Sequence, residues 1–327
     1  MPVAGNNLAL IKELREQSGA PISDVKAALQ QADWNIAQEL RKKGIASAGK
    51  KAGRVAAEGL VGLAANGQGV AVVEINSETD FVPRNDLFKS LVSNAAAAAL
   101  SLDVGAGPAA QSVEAATVLS ATGPAGGQSI KDELDSVAGT VRENMKLRRA
   151  FYLPIPQGGI AGSYIHQSAG EGLGKIAGAV VLAPQTAGAE LTGDAASSVA
   201  ELGRKLSMQV VASAPRFLDK DSVTPEAMQE EEAILREQAR GSGKPAKIVD
   251  KMIAGRMSKF YQEVCLLEQP FVMDDSKKVK QVVEELGKQI STPLKLVSYL
   301  RVKVGEGVDK DESDFAAEVA ATLKQTA

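Results

Sequence analysis

The chain has 327 residues, with 37 Lys and Arg against 40 Asp and Glu, a net charge of −3 and a pI near 5.5. That balance argues against a protein that wraps a nucleic-acid backbone, which needs a broad cationic face. The lone cysteine, Cys265, excludes an intrachain disulfide framework and fits a reducing compartment. With 44% hydrophobic and 24% charged residues, the composition suits a globular protein with sizeable cores. The length suggests roughly two or three compact units. Residues 1–20 carry Lys12, Glu13, Arg15 and Glu16 and do not read as a signal peptide, and the longest apolar-rich run, 176–183, is too short to span a bilayer. A soluble, cytoplasmic protein is expected.

In residues 1–54, Leu8, Ile11 and Leu14 recur at helical spacing and stop at Ser18-Gly19. Ser23 caps a second helix with Val25, Ala28 and Leu29, and Asp33 a third with Trp34, Ile36, Ala37 and Leu40, before Gly44. Three short helices make a small bundle of the docking kind. Residues 41–54 then hold six basic residues and no acidic one. They read either as a phosphate-seeking patch or as a solvated helix end plus linker. The absence of interleaved aromatics favours the linker.

A first core half spans 55–147. Strands at 55–65 and 69–76 flank the turn Asn66-Gly67-Gln68. The second strand runs into Glu74-Ile75-Asn76-Ser77-Glu78-Thr79-Asp80-Phe81-Val82-Pro83-Arg84-Asn85, where Pro83 prevents its continuation. Two readings stand: Asp80 caps the next helix and Phe81 folds into the core, or the pair projects as an acid and a wedge toward a partner. Composition alone favours burial, because Phe is usually inside. The spacing predicts a helix over 85–100 with Leu87, Phe88, Leu91 and Val92 as its apolar face. An Ala/Gly/Ser-rich segment, 101–129, reads as a mobile loop with a short ordered piece, and a helix over 129–145 closes the half.

A second core half spans 148–305, with strands at 148–156, 159–166 and 175–183 and a helix over 194–212. It repeats the hairpin-then-helix order. Thr224-Pro225-Glu226 starts a helix running to Arg240, and 241–245 reverses the chain. A second helix continues to about 267, with Val249, Ile253, Met257, Phe260 and Val264 on one stripe. The two form a projecting antiparallel hairpin whose stripe is its seam. A helix over 276–288, a strand over 294–304 and a final helix over 313–324 with Phe315, Val319 and Leu323 complete the chain.

Little in the sequence points to covalent chemistry. Gly170-Glu171-Gly172-Leu173-Gly174-Lys175 fails as a phosphate loop, since Ala169 stands at the first Gly and Ile176 at the Ser or Thr. His166 is the single histidine, without an orienting carboxylate nearby in sequence, and zinc ligands are lacking.

Three segments together resemble the bacterial elongation factor Ts family. They are residues 14–29, the Glu74 to Val82 stretch centred on Thr79-Asp80-Phe81-Val82, and Val304-Gly305-Glu306-Gly307 followed by Asp314-Phe315-Ala316-Ala317-Glu318-Val319-Ala320. Gly162-Ser163-Tyr164-Ile165-His166 and Gln269-Pro270-Phe271-Val272-Met273 fit as well. The resemblance implies an α+β fold. Its parts are a three-helix, UBA-like domain (1–54), a two-part antiparallel sheet-plus-helix core (55–147 and 148–305) with an inserted coiled-coil hairpin (about 222–267), and a C-terminal helical module (306–327). It implies a guanine-nucleotide exchange factor for elongation factor Tu with no cofactor of its own, acting on GDP and Mg²⁺ held by that partner. DNA and membranes are not implied as partners, and self-association through the hairpin is allowed. By resemblance, Thr79, Asp80, Phe81 and Val82 form the exchange element, and Gly19, Ala20, Ile22, His166, Phe315 and Val319 make further contacts. Three departures stand out: Pro21-Ile22-Ser23 replaces a pattern usually holding one or two Met, Gln167 stands where the family often has Gly, and the Ala/Gly-rich segment 101–129 has no functional counterpart. The alternative is an RNA- or ribosome-associated accessory protein using 41–54.

Overall fold

A computed structural model describes residues 11–12, 25–26, 29–30, 56–105, 107, 109–124, 126–240 and 246–308. The pairs 11–12, 25–26 and 29–30 are helical, with Val25 and Leu29 buried. The rest of the expected N-terminal bundle, the reversal expected at 241–245 and the final helix expected over 313–324 lie outside the described residues.

Strands β1 (Glu58–Ala65) and β2 (Gly69–Ser77) pair antiparallel across the expected turn. The Asn66 side chain accepts from the backbone N–H of Gln68 and Gly69, at 2.8 and 3.0 Å, which fixes the reversal. Helix α1 (Asp86–Leu100) follows, then β3 (Gln111–Val113), α2 (Ala115–Ser120), α3 (Ile130–Val141) and β4 (Met145–Pro154). The second part holds β5 (Ile160–His166), β6 (Leu173–Gly174), β7 (Ile176–Pro184) and α4 (Gly193–Ser213). Helices α5 (Pro225–Arg240) and α6 (Ala246–Val264) come next, then β8 (Pro270–Phe271), β9 (Asp274–Lys278), α7 (Val279–Gln289) and β10 (Leu294–Lys303). The sheets run β3-β4-β2-β1-β6, β10-β7-β5 and β8-β9, with antiparallel pairing of these strands.

Every residue of β2 is buried, because the strand has a core on each face. Val73 and Ile75 pack with Phe88, Leu91 and Val92 of α1 and Ile130 of α3. Val70 and Val72 on the opposite face meet Ala177, Ala179 and Val181 of β7 and Leu300 and Val302 of β10. The far face of the three-stranded sheet is closed by Leu202, Leu206 and Val210 of α4 and Val279 and Val283 of α7. The order of layers is helices, sheet, sheet, helices. Where α4 crosses β5, a Cβ on Gly162 would run into the backbone of Gly203 and Arg204, so only glycine permits that approach.

Several expectations are corrected. The strand read as beginning the second half at 148 starts at Met145 and pairs with β2 and β3 in the first sheet. The helix expected over 129–145 ends at Val141, where Arg142 takes a left-handed φ of 61° and frees Glu143 and Asn144 from the helix. The segment 101–129 is more ordered than a mobile loop, since β3 joins the sheet and Val118 is fully buried. The helix placed at 276 begins at Val279, because Asp274–Lys278 forms β9 against Pro270–Phe271. Leu87, assigned to the apolar face of α1, is 51% exposed; Phe88, Leu91 and Val92 face the core.

Helices α5 and α6 lie antiparallel, joined by contacts from Arg236 to Asp250 (3.7 Å) and from the Tyr261 hydroxyl to Met228 Sδ (3.4 Å). Ile253 and Phe260 of the expected stripe are buried.

One ionic cluster ties the end of β10 to the first sheet. Glu74, fully buried in β2, accepts from Arg148 Nη1 (3.2 Å to each oxygen), Arg149 Nε, Asn76 Nδ2 (3.0 Å) and the backbone N–H of Gly305 (2.8 Å). Arg148 also donates to the Glu306 carbonyl at 2.7 Å, and Arg149 to that of Lys303 at 2.8 Å.

Candidate functional site

The chain turns sharply where β2 ends, and this corner holds Thr79, Asp80, Phe81 and Val82. After Ser77 come an irregular stretch, the 3-10 turn Val82–Arg84 with Pro83 in its first positions, and then α1. The cap of α1 is Asn85, whose side chain accepts from the N–H of Leu87 at 2.8 Å. Asp80 therefore has no capping role.

Phe81 is 69% exposed, while its neighbour Val82 is 5% exposed and occupies the core position. The backbone explains why the ring stays outside. The Thr79 N–H and hydroxyl both donate to the Glu143 carboxylate, at 3.0 and 2.7 Å. The Ser77 hydroxyl donates to the Thr79 carbonyl at 3.0 Å, and the Arg84 N–H to the Phe81 carbonyl at 3.0 Å. With both sides of Phe81 fixed and Val82 turned inward, the ring has no path to the core. The burial reading of Phe81 is thereby overturned. The Arg84 guanidinium lies 5.7 Å from the ring centroid and 3.4 Å from an Asp80 oxygen. Asp80 and Arg84 are both well exposed, so their pair adds little stability. Leu87, the second residue of α1, is exposed as well.

His166 stands elsewhere, as the last residue of β5 in the three-stranded sheet, with Nδ1 3.3 Å from the Tyr164 hydroxyl. Gln167, at the position the resemblance gives to glycine, adopts φ 51° in the left-handed region. His166 borders a groove of about 450 Å³ lined also by Tyr164, Met208, Val272 and Met273. Val272 and Met273 sit half-exposed between β8 and β9. Buried Gln209 holds that turn, accepting from the Val272 N–H at 2.6 Å and donating to the Pro270 carbonyl at 3.2 Å. Gly19, Ala20, Ile22, Phe315 and Val319 lie outside the described residues, as does the basic run 41–54.

Sequence reasoning gives Glu143, Arg84, Leu87, Val272 and Met273 no role at a site, and reads Leu87 as part of the apolar face of α1. Glu143 is 64 residues from Thr79 and gives no local signal. Val272 and Met273 lie in the quoted Gln269 to Met273 stretch, and two apolar residues just past Pro-Phe were the available sign.

The glycine-rich run 170–175 forms part of a strand pairing instead of a phosphate cradle: Gly174 and Leu173 pair with Val61 and Gly62. Cys265 is buried, and desolvation pushes its thiol up to about 11, unsuited to a nucleophile. Among the described residues no group of three or more His, Cys, Asp or Glu could hold a metal ion, and no helix is long and apolar enough to cross a membrane.

The corner thus displays an exposed aromatic ring beside an exposed carboxylate on a backbone held at both sides. Residues 78–306 match the family model described as Elongation factor TS, a match that begins one residue before Thr79. The chain is 46% identical over 316 residues to the Elongation factor Ts of Paramagnetospirillum magneticum, covering 96% of each. It is 43% identical over 320 residues to that of Mesorhizobium japonicum, and 44% over 321 to that of Rhodospirillum rubrum, covering in both cases 97% of this chain and 98% of the relative. The chain belongs to the elongation factor Ts family, and its role is that of a nucleotide-exchange factor in translation elongation.

Proposed function

We propose that the chain accelerates GDP release from elongation factor Tu through the Asp80-Phe81 corner. An exchange factor must favour the nucleotide-free state of its partner, and linkage then requires GDP to weaken the factor's own binding equally. Phe81 wedges between helices of the partner's nucleotide domain, and Asp80 anchors the shift, so that the ligands of the partner's Mg²⁺ lose their geometry. Because Mg²⁺ demands near-ideal octahedral coordination, a small displacement is enough. Thr79 and Val82 hold the pair in place. The observation that carries this reading is the ring of Phe81, 69% exposed on a backbone fixed at both sides.

His166 contacts the partner separately. The N-terminal unit, including Gly19, Ala20 and Ile22, and the C-terminal module, including Phe315 and Val319, supply docking area. The division into 1–54, a two-part core over 55–305 and a module over 306–327, the UBA-like character of the first unit and the coiled-coil character of the α5–α6 hairpin belong to the same proposal, as does self-association through that hairpin. The protein works in the cytoplasm, needs no cofactor or covalent step of its own, and uses neither DNA nor membrane. The test is release of fluorescent GDP from elongation factor Tu. Catalytic amounts of the protein should speed it, and no acceleration by folded protein with a matched partner would refute the proposal.

A further inference from the structure

We infer that Glu143 is a positioning residue for exchange, acting on the Asp80-Phe81 pair through Thr79. The inference rests on the proposed role of the corner and adds to it a residue from a distant part of the chain. An exposed phenylalanine ring gains by collapsing onto any nearby apolar surface, so a protein that displays one must fix the backbone on both sides of it. On the far side, Val82 is buried and the Phe81 carbonyl is held by the Arg84 N–H. On the near side the fixed point is Thr79, and it is held from across the molecule. One carboxylate takes both its N–H and its hydroxyl, at 3.0 and 2.7 Å.

Glu143 can reach Thr79 because α3 stops early. Arg142 adopts φ 61°, and the two residues that follow it before β4, Glu143 and Asn144, are left to face the corner. The next residue makes a parallel contact, the Asn144 N–H donating to Glu78 Oε1 at 2.5 Å. Two consecutive residues of one turn thus clasp two consecutive residues of the other. Bonds to an ionised acceptor are the stronger kind, and the two to Glu143 form a two-point clamp that a single contact would not provide. The clamp pre-organises the wedge, so its loss should be felt in the rate at which the docked factor expels GDP more than in docking itself.

The experiment measures release of fluorescent GDP from elongation factor Tu against concentration of the full-length factor, separating the maximal rate from the half-saturating concentration. Glu143→Ala should lower the maximal rate about tenfold, the equivalent of one charge-assisted hydrogen bond, with little change in half-saturation. Glu143→Gln, which keeps an acceptor oxygen, should recover part of the loss. Thr79→Val placed on Glu143→Ala should add less than it does alone, since both act on one contact. A folded Glu143→Ala protein with the wild-type maximal rate would overturn the assignment. If Glu143→Ala does not fold, Glu143→Gln decides: a lowered maximal rate supports the assignment and an unchanged one overturns it. Phe81→Ala separates the two layers. Full activity there refutes the reading of the corner itself, whereas an impaired Phe81→Ala beside an unimpaired Glu143→Ala refutes only the role of Glu143.

Discussion

Replacing Glu74 by Gln tests whether the buried ionic cluster holds the two sheets and the end of β10 together. The carboxylate is 0% exposed and takes hydrogen bonds from Arg148, Arg149, Asn76 and the Gly305 N–H. Gln keeps the shape but turns an NH₂ group toward guanidinium donors, taking the buried counter-charge from both arginines and leaving Arg149 the more distant, exposed Glu306 carboxylate at 3.8 Å. Removing one partner of a buried pair costs about 3–5 kcal/mol, and the arginine side chains, each 24% exposed, can draw in water, which places the loss near the lower end. For cooperative unfolding of a 327-residue chain, a loss of about 3 kcal/mol corresponds to a fall of roughly 4–5 °C in Tm. Calorimetry and guanidinium unfolding measure it, with Glu58→Gln as the comparison. The Glu58–Lys175 pair is 3.3 Å long with both side chains about 30% exposed, and its loss should cost under about 1 kcal/mol. A Glu74→Gln protein within about 0.5 kcal/mol of wild type, the range of an ordinary surface substitution, would refute the structural role of the cluster.

Two further outcomes follow from packing and burial. Gly162→Ala should be strongly destabilising, by about 1–3 kcal/mol or more, because α4 must move off β5 to admit a methyl group; an unchanged Tm would mean that the two do not approach so closely. Burial pushes the Cys265 thiol up to about 11 and the Tyr299 hydroxyl to about 12, so the folded state favours their protonated forms. Their contribution to stability is whole below the unfolded thiol value of about 9 and is lost as pH rises through 11 and 12. The denaturation midpoint should therefore fall between pH 8 and pH 10.5, less steeply in Cys265→Ala. Native protein at pH 8 should resist iodoacetamide until unfolded.

The hairpin and most helices were legible because local signals and tertiary demands agree in them. Asn-Gly sits between two apolar runs that become β1 and β2, and Thr224-Pro225 starts α5. Other elements lacked a local signal. Strand β9 is Asp-Asp-Ser-Lys-Lys, with no apolar residue to mark it, and is defined by its pairing with β8. Helix α3 ends on an arginine in the left-handed conformation instead of a glycine, so the helical reading ran on into β4. At the site, the residues of the corner could be named from their resemblance to a family, but their exposure could not. Phe81 is kept outside by Val82 taking the core position and by a carboxylate 64 residues from Thr79, and neither is encoded in the spacing of the stretch itself.

The most direct measurement is the maximal rate of GDP release from elongation factor Tu with Phe81→Ala, taken together with the variant's affinity for the nucleotide-free partner. Because the ring is 69% exposed, the substitution should leave Tm nearly unchanged, within about 0.5 kcal/mol of wild-type stability. The expected result is a maximal rate lowered about tenfold or more with docking largely retained, since the remaining contact area is intact. A folded Phe81→Ala protein that drives release at the full wild-type rate would contradict the assignment of the wedge.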